Sequence, residues 1–167
     1  MSISAELPRR ATAGFVFSHP AHAIAFGFGA GLAPFAPGTF GTLLAFPLHA
    51  AVAPRLDPQL HVLLLVALFV IGIWACQRTG RELGVHDHGG MVWDETVAFL
   101  LVLFLTPPDL VWQAFAFLLF RLFDIFKPMP IRHFDRSIRN GAGVMLDDLI
   151  AAFYALLCLA TWKFLTN

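Results

Sequence analysis

Charged side chains are scarce in this sequence. Asp, Glu, Lys and Arg make up only 13% of its 167 residues, and the 11 basic and 11 acidic groups leave a formal net charge of zero. Soluble globular proteins carry about 25% charged residues. Proteins that bind nucleic acid normally show a basic excess, so this balance argues against nucleic acid as a partner.

Cysteine is also rare. The sequence contains only Cys76 and Cys158, each inside an apolar run and without a second cysteine at paired spacing. This arrangement argues against a disulfide framework or a zinc knuckle. We therefore expect both cysteines to be packing residues.

Apolar residues are in excess. Hydrophobic residues reach 58%, Phe alone accounts for 18 positions, and the mean hydropathy is +0.73. We therefore expect a polytopic membrane protein. The length is that of one domain without a linker, with a flexible tail over residues 1–18 and a single helical domain over residues 19–167. His19, Pro20 and His22 interrupt the first apolar stretch, which argues against a cleaved signal peptide.

Five apolar segments predict the fold. The clearest, residues 58–76, would span roughly 28 Å as a helix. The chain after Pro130 places apolar and basic residues on opposite sides of a helix, which predicts a short amphipathic helix in the headgroup plane. We predict an all-α, compact multi-helix bundle, membrane-embedded or membrane-associated, with about five apolar helices plus this short one. The apolar helices are expected over residues 39–53, 58–76, 93–105, 110–126 and 144–165.

Basic residues are unevenly distributed between the ends of these segments. If each segment crosses the membrane once, one side collects most of the Arg and Lys and the other keeps Arg55 and Lys163. By the positive-inside rule the crowded side is cytoplasmic. Four polar clusters fall on that side, which is what a single site requires. They are residues 27–42, residues 86–95, the basic segment after Phe120, and the pair Asp147 and Asp148.

Acidic residues cluster where the apolar segments begin or end. Asp94 and Glu95 open one predicted helix, Asp147 and Asp148 open another, and Asp124 lies near the end of a third. Helix-start charge, favoured by the helix dipole, is the simpler interpretation of each pair. Carboxylates converging from different helices would instead form the oxygen-rich site that Mg²⁺ prefers. We predict that all five acids contribute to a magnesium site.

A stripe of alternating charge ends the fourth predicted helix. Arg121, Asp124 and Lys127 are spaced i, i+3, i+6, and Pro128 stops the helix after them. An internal ion-pair ladder explains this spacing as well as a binding site does. Arg132 follows in the amphipathic segment, where binding to anionic lipid is the commoner use of arginine. We predict that Arg121, Lys127 and Arg132 bind a substrate phosphate.

Glycine and proline interrupt residues 27–42. Five glycines and two prolines in this stretch exclude a regular helix through all of it. One interpretation is a flexible apolar loop or a close helix contact. The other is a loop whose backbone N–H groups, with the Thr39 and Thr42 hydroxyls, approach an anion at the start of the next helix. On the second interpretation Gly38 and Thr39 bind substrate.

His86 and His88 flank Asp87 in a loop bounded by glycines. The absence of a nearby third soft ligand in the sequence argues against zinc. We predict an imidazole that gives a proton to a leaving alkoxide beside a phosphate, with solvated loop histidines as the alternative. The predicted catalytic residues are therefore His86, His88, Asp94, Glu95 and Asp124.

Four strings of the sequence resemble the phosphatidylglycerophosphatase A family: GFGAGLAPFAPGTFGT, GVHDHGGMVWDE, FRLFDIFKPMPIR and GAGVMLDD. The likeness runs from residue 20 to the last helix, in the family's order and spacing. Thr42 stands where the family more often has Ser, and either residue keeps the hydroxyl. The resemblance implies an all-helical enzyme of the bacterial inner membrane. It also implies that the enzyme uses Mg²⁺ to remove the terminal phosphate of phosphatidylglycerophosphate, a phospholipid in the bilayer.

Two other functions fit parts of the sequence. An ion-coupled transporter would use the same acids, but it predicts polar residues near the bilayer midplane and an inverted repeat. The predicted midplanes are apolar, and the sequence shows no such repeat. Another membrane phosphotransferase acting on a lipid headgroup would share the site and differ only in its substrate.

Overall fold

The computed structural model describes residues 11–129, 138 and 140–166. Within these residues the chain is helical and contains no strand. A 3-10 segment, Gly27–Leu32, separates two short helices from five longer ones. The helices are α1 (Ala13–Val16), α2 (Pro20–Ala25), α3 (Pro37–Val52), α4 (Pro58–Leu83), α5 (Trp93–Leu105), α6 (Leu110–Phe126) and α7 (Gly141–Thr166).

The local sequence explains where the long helices begin. Pro37 and Pro58 stand at the first helical positions of α3 and α4, where a missing backbone N–H is not needed. Asp57 caps α4 by accepting a hydrogen bond from the Leu60 N–H at 2.9 Å. Asp109 caps α6 in the same way, accepting from two backbone N–H groups of its first turn.

The predicted all-α fold is confirmed, and α3 to α7 match the five predicted apolar helices. The structure differs at the amino terminus, where a tail was predicted as far as residue 18. Thr12 instead caps α1, and Val16 is fully buried. The predicted amphipathic helix after Pro130 falls largely on residues 130–137 and 139, which lie outside the described residues.

Helix α5 is the centre of the bundle. It packs against α3 and α7 and also contacts α4 and α6. Phe99 and Leu103 of α5 are fully buried with Phe120 of α6, and the rings of Phe99 and Phe120 lie 5.4 Å apart. Burial of each such side chain stabilises the fold by about 1.5–3 kcal/mol.

A second apolar core joins the amino-terminal helices to α4 and α7. It contains Phe26, Cys76 and Met145, all buried, with Trp93 at the start of α5. The Trp93 indole Nε1–H donates a hydrogen bond to the Leu68 carbonyl oxygen at 3.2 Å. Burial of Cys76 confirms its prediction as a packing residue, whereas Cys158 is exposed.

Two of the described helices, α4 and α7, are long and apolar enough to cross a membrane. Each has 26 residues and reaches about 39 Å, more than the hydrocarbon core of a bilayer. The other long helices, α3, α5 and α6, have 16, 13 and 17 residues. Many apolar side chains of α4, α6 and α7 are exposed on the bundle surface, which fits a membrane-associated protein.

Short connections bring five helix ends to one end of the bundle. The starts of α3 and α5 meet there, because Gly38 and Glu95 approach each other closely. Arg121, near the end of α6, contacts both Glu95 and Thr42. The Gly141 N–H at the start of α7 donates to Gln77 Oε1 of α4 at 2.8 Å. We call this the polar end of the bundle.

We expect Gly31→Ala to lower the free energy of unfolding by about 1–3 kcal/mol, a usual cost of forced overpacking. A Cβ at Gly31 would overlap the carbonyl oxygen of Gly90, so the 3-10 segment and the loop before α5 would have to separate. The matched control is Gly89→Ala, because a Cβ at Gly89 meets no atom of the described residues within 4 Å. Denaturant unfolding in detergent measures both variants, and equal stabilities would contradict this packing.

Candidate active site

Three carboxylates meet at the polar end of the bundle. Asp94 and Glu95 lie in the first turn of α5, and Asp148 lies on α7. One oxygen from each lies within 4.8 Å of the others. Asp94 is 7% exposed and Asp148 is 3% exposed. We call Asp94, Glu95 and Asp148 the acid cluster.

Burial opposes ionisation of the two acids on α5. This helix reaches only about 20 Å, so it is shorter than a membrane span. Burial is the main cause that raises the pKa of Glu95 to about 8. The hydrogen bond with Asp94 lowers this pKa, and the charges of Asp148 and Asp124 raise it. Burial is also the largest cause that raises the pKa of Asp94, and the charge of Glu95 is the second largest. A nearby cation would lower both pKa values, because it stabilises the charged carboxylates.

Arg121 is a basic residue that contacts the acid cluster through Glu95. Its Nη1 lies 3.7 Å from Glu95 Oε1 and forms an ion pair with Asp124. The same nitrogen donates to the Thr42 hydroxyl oxygen at 3.4 Å. Arg121 and Asp124, which are spaced i, i+3, therefore form an ion pair, as the ladder interpretation predicted. The contact with Glu95 also joins this pair to the acid cluster.

Gly38 lies in the first turn of α3, directly beneath Glu95 and Arg121. A Cβ at Gly38 would overlap Glu95 Oε1 and would lie 3.1 Å from Arg121 Nη1. The Thr42 hydroxyl, one turn later, donates to the Gly38 carbonyl oxygen at 2.8 Å. Ala36, just before the helix, has a φ of 46°, in the left-handed region that strains a residue with a Cβ. At the start of α3, therefore, the backbone of Gly38 faces the site without a side chain.

Lys127 and Asp147 form a second ion pair beside the acid cluster. Lys127 ends α6 with a φ of 41°, again in the left-handed region. Asp147 is the neighbour of Asp148, but successive helical residues point about 100° apart, so the two acids have different partners. Asp147 is close enough to raise the pKa of Asp94. The metal-binding roles predicted for Asp124 and Asp147 remain predictions, since each is paired with a base.

Three buried side-chain atoms of this site lack a hydrogen-bond partner among the described residues. They are Glu95 Oε2, Asp148 Oδ2 and Arg121 Nε. Buried polar atoms are nearly always paired, so such atoms call for an explanation. Two are carboxylate oxygens, which suit a cation, and one is a guanidinium N–H, which suits an anion. An all-oxygen set fits a hard divalent cation such as Mg²⁺ better than it fits zinc.

The two predicted catalytic histidines lie in the loop before α5. His86 is exposed, and His88 is half-buried with its Nδ1 accepting a hydrogen bond from the Gly90 N–H at 3.0 Å. Asp87, between them, is close enough to raise the pKa of Asp94. The loop therefore borders the acid cluster, and the catalytic role of its histidines remains a prediction.

Thr42 contacts Arg121 at this site, although the predicted substrate-binding residues of this segment were Gly38 and Thr39. Thr42 lies four residues after Gly38 and so shares its face of α3, whereas Thr39 is half-buried on another face. The i, i+4 spacing of Gly38 and Thr42 was the sequence signal that could have identified Thr42. The predicted phosphate ligand Arg132 lies outside the described residues.

The described residues form a helical bundle with two lipid-length helices, and its polar end brings three acids together with an arginine beside one of them. This arrangement fits an enzyme that acts on phosphate groups at a membrane surface. Comparison with known sequences gives the family. The chain belongs to the phosphatidylglycerophosphatase A family, whose sequence model matches residues 23–163. It is therefore an enzyme of the lipid phosphatase class.

The similarity to individual relatives covers most of each protein. The chain is 45% identical over 141 residues to phosphatidylglycerophosphatase A of Haemophilus influenzae, which covers 83% of this chain and 86% of that protein. It is 43% identical over 135 residues to phosphatidylglycerophosphatase A of Escherichia coli, covering 80% and 78%. It is 38% identical over 148 residues to a Bacteroides thetaiotaomicron protein provisionally named a phosphatidylinositol-3-phosphatase, covering 83% and 92%. No solved structure matches the chain.

We expect Gly38→Ala to reduce phosphatase activity roughly 100-fold, because misplacing a reacting group by about 1 Å has effects of this size. The added Cβ displaces the Glu95 carboxylate and crowds Arg121. Phosphate release by purified protein measures the change, and thermal unfolding checks that the fold persists. Gly14→Ala is the control, since its Cβ would meet only Thr12 Oγ1 at 3.8 Å. Full activity of Gly38→Ala would show that this close approach is unimportant.

Proposed function

We propose that the protein removes the terminal phosphate of phosphatidylglycerophosphate in a Mg²⁺-dependent reaction at the cytoplasmic face of a bacterial inner membrane. This substrate is the one for which two relatives, 45% and 43% identical to this chain, are named. The observation that carries the proposal is the acid cluster beside Arg121, which offers oxygen ligands and a phosphate-binding base at one position.

The acid cluster is the proposed magnesium site. Asp94, Glu95 and Asp148 would hold the ion, and Asp124 and Asp147 would border it as further acids. Bound Mg²⁺ neutralises charge on the phosphate and polarises its oxygens. The buried carboxylates of Asp94 and Glu95 have raised pKa values, so this binding would release protons.

Arg121 and Lys127 are the proposed phosphate ligands of the described chain, with Arg132 as the third predicted ligand. A phosphomonoester carries about two negative charges near neutral pH. The Arg121 guanidinium keeps a buried N–H without a partner among the described residues, and that N–H can donate to a phosphate oxygen. Lys127 is held by Asp147 at the border of the acid cluster. These bases would stabilise the negative charge that develops on the phosphoryl oxygens in the transition state.

The leaving alkoxide requires a proton, and we assign it to the histidine loop. Imidazole titrates near neutral pH and is the ordinary side-chain donor there. Asp87 lies between His86 and His88 and is near enough to influence Asp94, which supports a position of the loop at the edge of the site. The attacking group is either a water molecule or a carboxylate of the acid cluster.

The distribution of charge supports the cytoplasmic orientation. Arg78 and Arg81, near the end of α4, share the polar end with Arg121 and Lys127. The opposite end has Arg55, in the connection after α3, and Lys163 in the last turn of α7. By the positive-inside rule the end with more bases faces the cytoplasm. The same orientation presents the site to the headgroup layer of the inner leaflet.

We expect purified protein to release inorganic phosphate from phosphatidylglycerophosphate in mixed micelles, and EDTA to abolish this release until Mg²⁺ is restored. Phosphatidylinositol 3-phosphate, assayed in parallel, tests the headgroup named for the Bacteroides relative. Faster release from that lipid would overturn the proposed substrate but keep the enzyme class. Undiminished activity in EDTA would overturn the magnesium requirement. Failure to release phosphate from either lipid would favour the transporter or phosphotransferase alternatives.

We expect Asp94→Asn and Asp148→Asn to lower kcat by at least about 100-fold, the scale seen when a charge-stabilising group is removed from an active site. Each substitution removes an anionic ligand but keeps a similar volume. Binding of Mn²⁺, followed by electron paramagnetic resonance as a probe for Mg²⁺, should weaken in parallel. Asp109→Asn is the matched control, because it lies at the opposite end of α6 and Asn still caps a helix. Wild-type Mn²⁺ affinity in both acid-cluster variants would contradict the proposed site.

A further inference from the structure

An apolar groove of about 230 Å³ lies between α4, α5 and α7. Its floor is formed by Leu65 and Val97, which are buried. Its rim is formed by Val62 and Val66, which are 48% and 54% exposed. The groove is therefore open on the outer surface of the bundle, where lipid would contact the protein. Its remaining lining residues are Phe69, Leu101 and Leu149, so the whole lining is aliphatic or aromatic.

The groove runs along α4, which contributes four of its seven lining residues; two come from α5 and one, Leu149, from α7. Along α4 it extends from Val62 to Phe69, which is roughly 10 Å at the rise of an α-helix. Helices α4 and α7 are the two described helices long enough to cross a bilayer. A groove parallel to such helices has the direction in which the acyl chains of a bilayer run.

The groove continues from the acid cluster. Asp94, Val97 and Leu101 are spaced i, i+3 and i+7, so they share one face of α5. On α7 the groove residue Leu149 directly follows Asp148. The end of the groove nearest the acid cluster therefore begins about one helical turn from Asp94.

We propose that this groove holds one acyl chain of the lipid whose phosphate is bound at the acid cluster. The inference rests on the proposed function, which makes the substrate a phospholipid. The groove is smaller than the roughly 300–1,000 Å³ of a pocket that encloses a whole drug-sized ligand, so it takes a single chain and leaves the rest of the lipid in the bilayer. Its wholly apolar lining excludes the headgroup, since a phosphate there would lose its hydrogen bonds.

A chain held in the groove positions the phosphate. A lipid headgroup that is held only by the bilayer keeps its rotational and translational freedom. A chain seated beside Val97 and Leu149 would fix the height of the headgroup relative to Asp94 and Asp148. Orientation of this kind contributes to catalysis because it reduces the entropy lost at the reacting centre.

The test compares Val66→Trp with Leu63→Trp. Val66 lines the groove, whereas Leu63 is on the same helix, is 64% exposed and lies outside the groove lining. Each variant is assayed with phosphatidylglycerophosphate and with the acyl-free substrate glycerophosphoglycerophosphate. We expect Val66→Trp to lower kcat/KM for the lipid at least about tenfold and to leave the acyl-free substrate unchanged. Leu63→Trp should change neither rate.

Equal losses of Val66→Trp on both substrates would overturn the proposal, because they would indicate damage at the polar end. The absence of any loss on the lipid would also overturn it.

A second measurement does not depend on turnover: phosphatidylglycerophosphate with a diazirine in one acyl chain is photo-crosslinked to wild-type protein. Selective labelling of residues 62–69 and 97–101, lost in Val66→Trp and kept in Leu63→Trp, supports the groove. Uniform labelling of all the exposed apolar helix faces would indicate ordinary lipid contact and overturn it. If the wild type hydrolyses neither substrate, the proposed function fails while this labelling still decides the groove.

Discussion

The site depends on the close approach of three carboxylates, of which those of Asp94 and Asp148 are buried and that of Glu95 is 13% exposed. Asp94, Glu95 and Asp148 lie within 4.8 Å of one another with Arg121 as the base in contact. Like charges at this separation in a poorly hydrated site repel strongly, so the arrangement persists only with protonation or with a compensating cation. One oxygen of Glu95 and one of Asp148 are buried without a hydrogen-bond partner among the described residues, which supports the proposed cation at this site.

The bundle holds this arrangement by packing rather than by loops. The acids lie on α5 and α7, which pack directly against each other, and Arg121 lies on α6 beside Asp124. Sites on helices keep their geometry better than sites on mobile segments. At the polar end the backbone itself becomes part of the site, because Gly38 leaves room for Glu95 and Arg121. Ala36 and Lys127 have a left-handed backbone conformation, which is strained and is held in place by the surrounding packing.

The position of the site at the end of the bundle reconciles two chemical requirements. A phosphate and its cation need water and charged ligands, whereas the diacyl part of a phospholipid needs an apolar environment. Short helices such as α5 begin at the polar end, so the charged residues in their first turns lie together there. The long helices α4 and α7 are long and apolar enough to cross a bilayer. The proposed acyl groove, between α4, α5 and α7, joins the two environments.

The helical class, the five apolar helices and the end of the bundle at which the polar clusters lie could all be predicted from the sequence. Those properties follow from local signals. The signals are runs of apolar residues, proline and aspartate at helix starts, and connections that lie alternately at the two ends of the bundle. Tertiary structure alone decided which side chains meet. Asp148 joins Asp94 and Glu95, while its neighbour Asp147 turns to Lys127, and Thr42 rather than Thr39 contacts Arg121. The reason is rotational: adjacent residues on a helix point about 100° apart, and the rotation of each helix about its axis is set by core packing between distant parts of the chain.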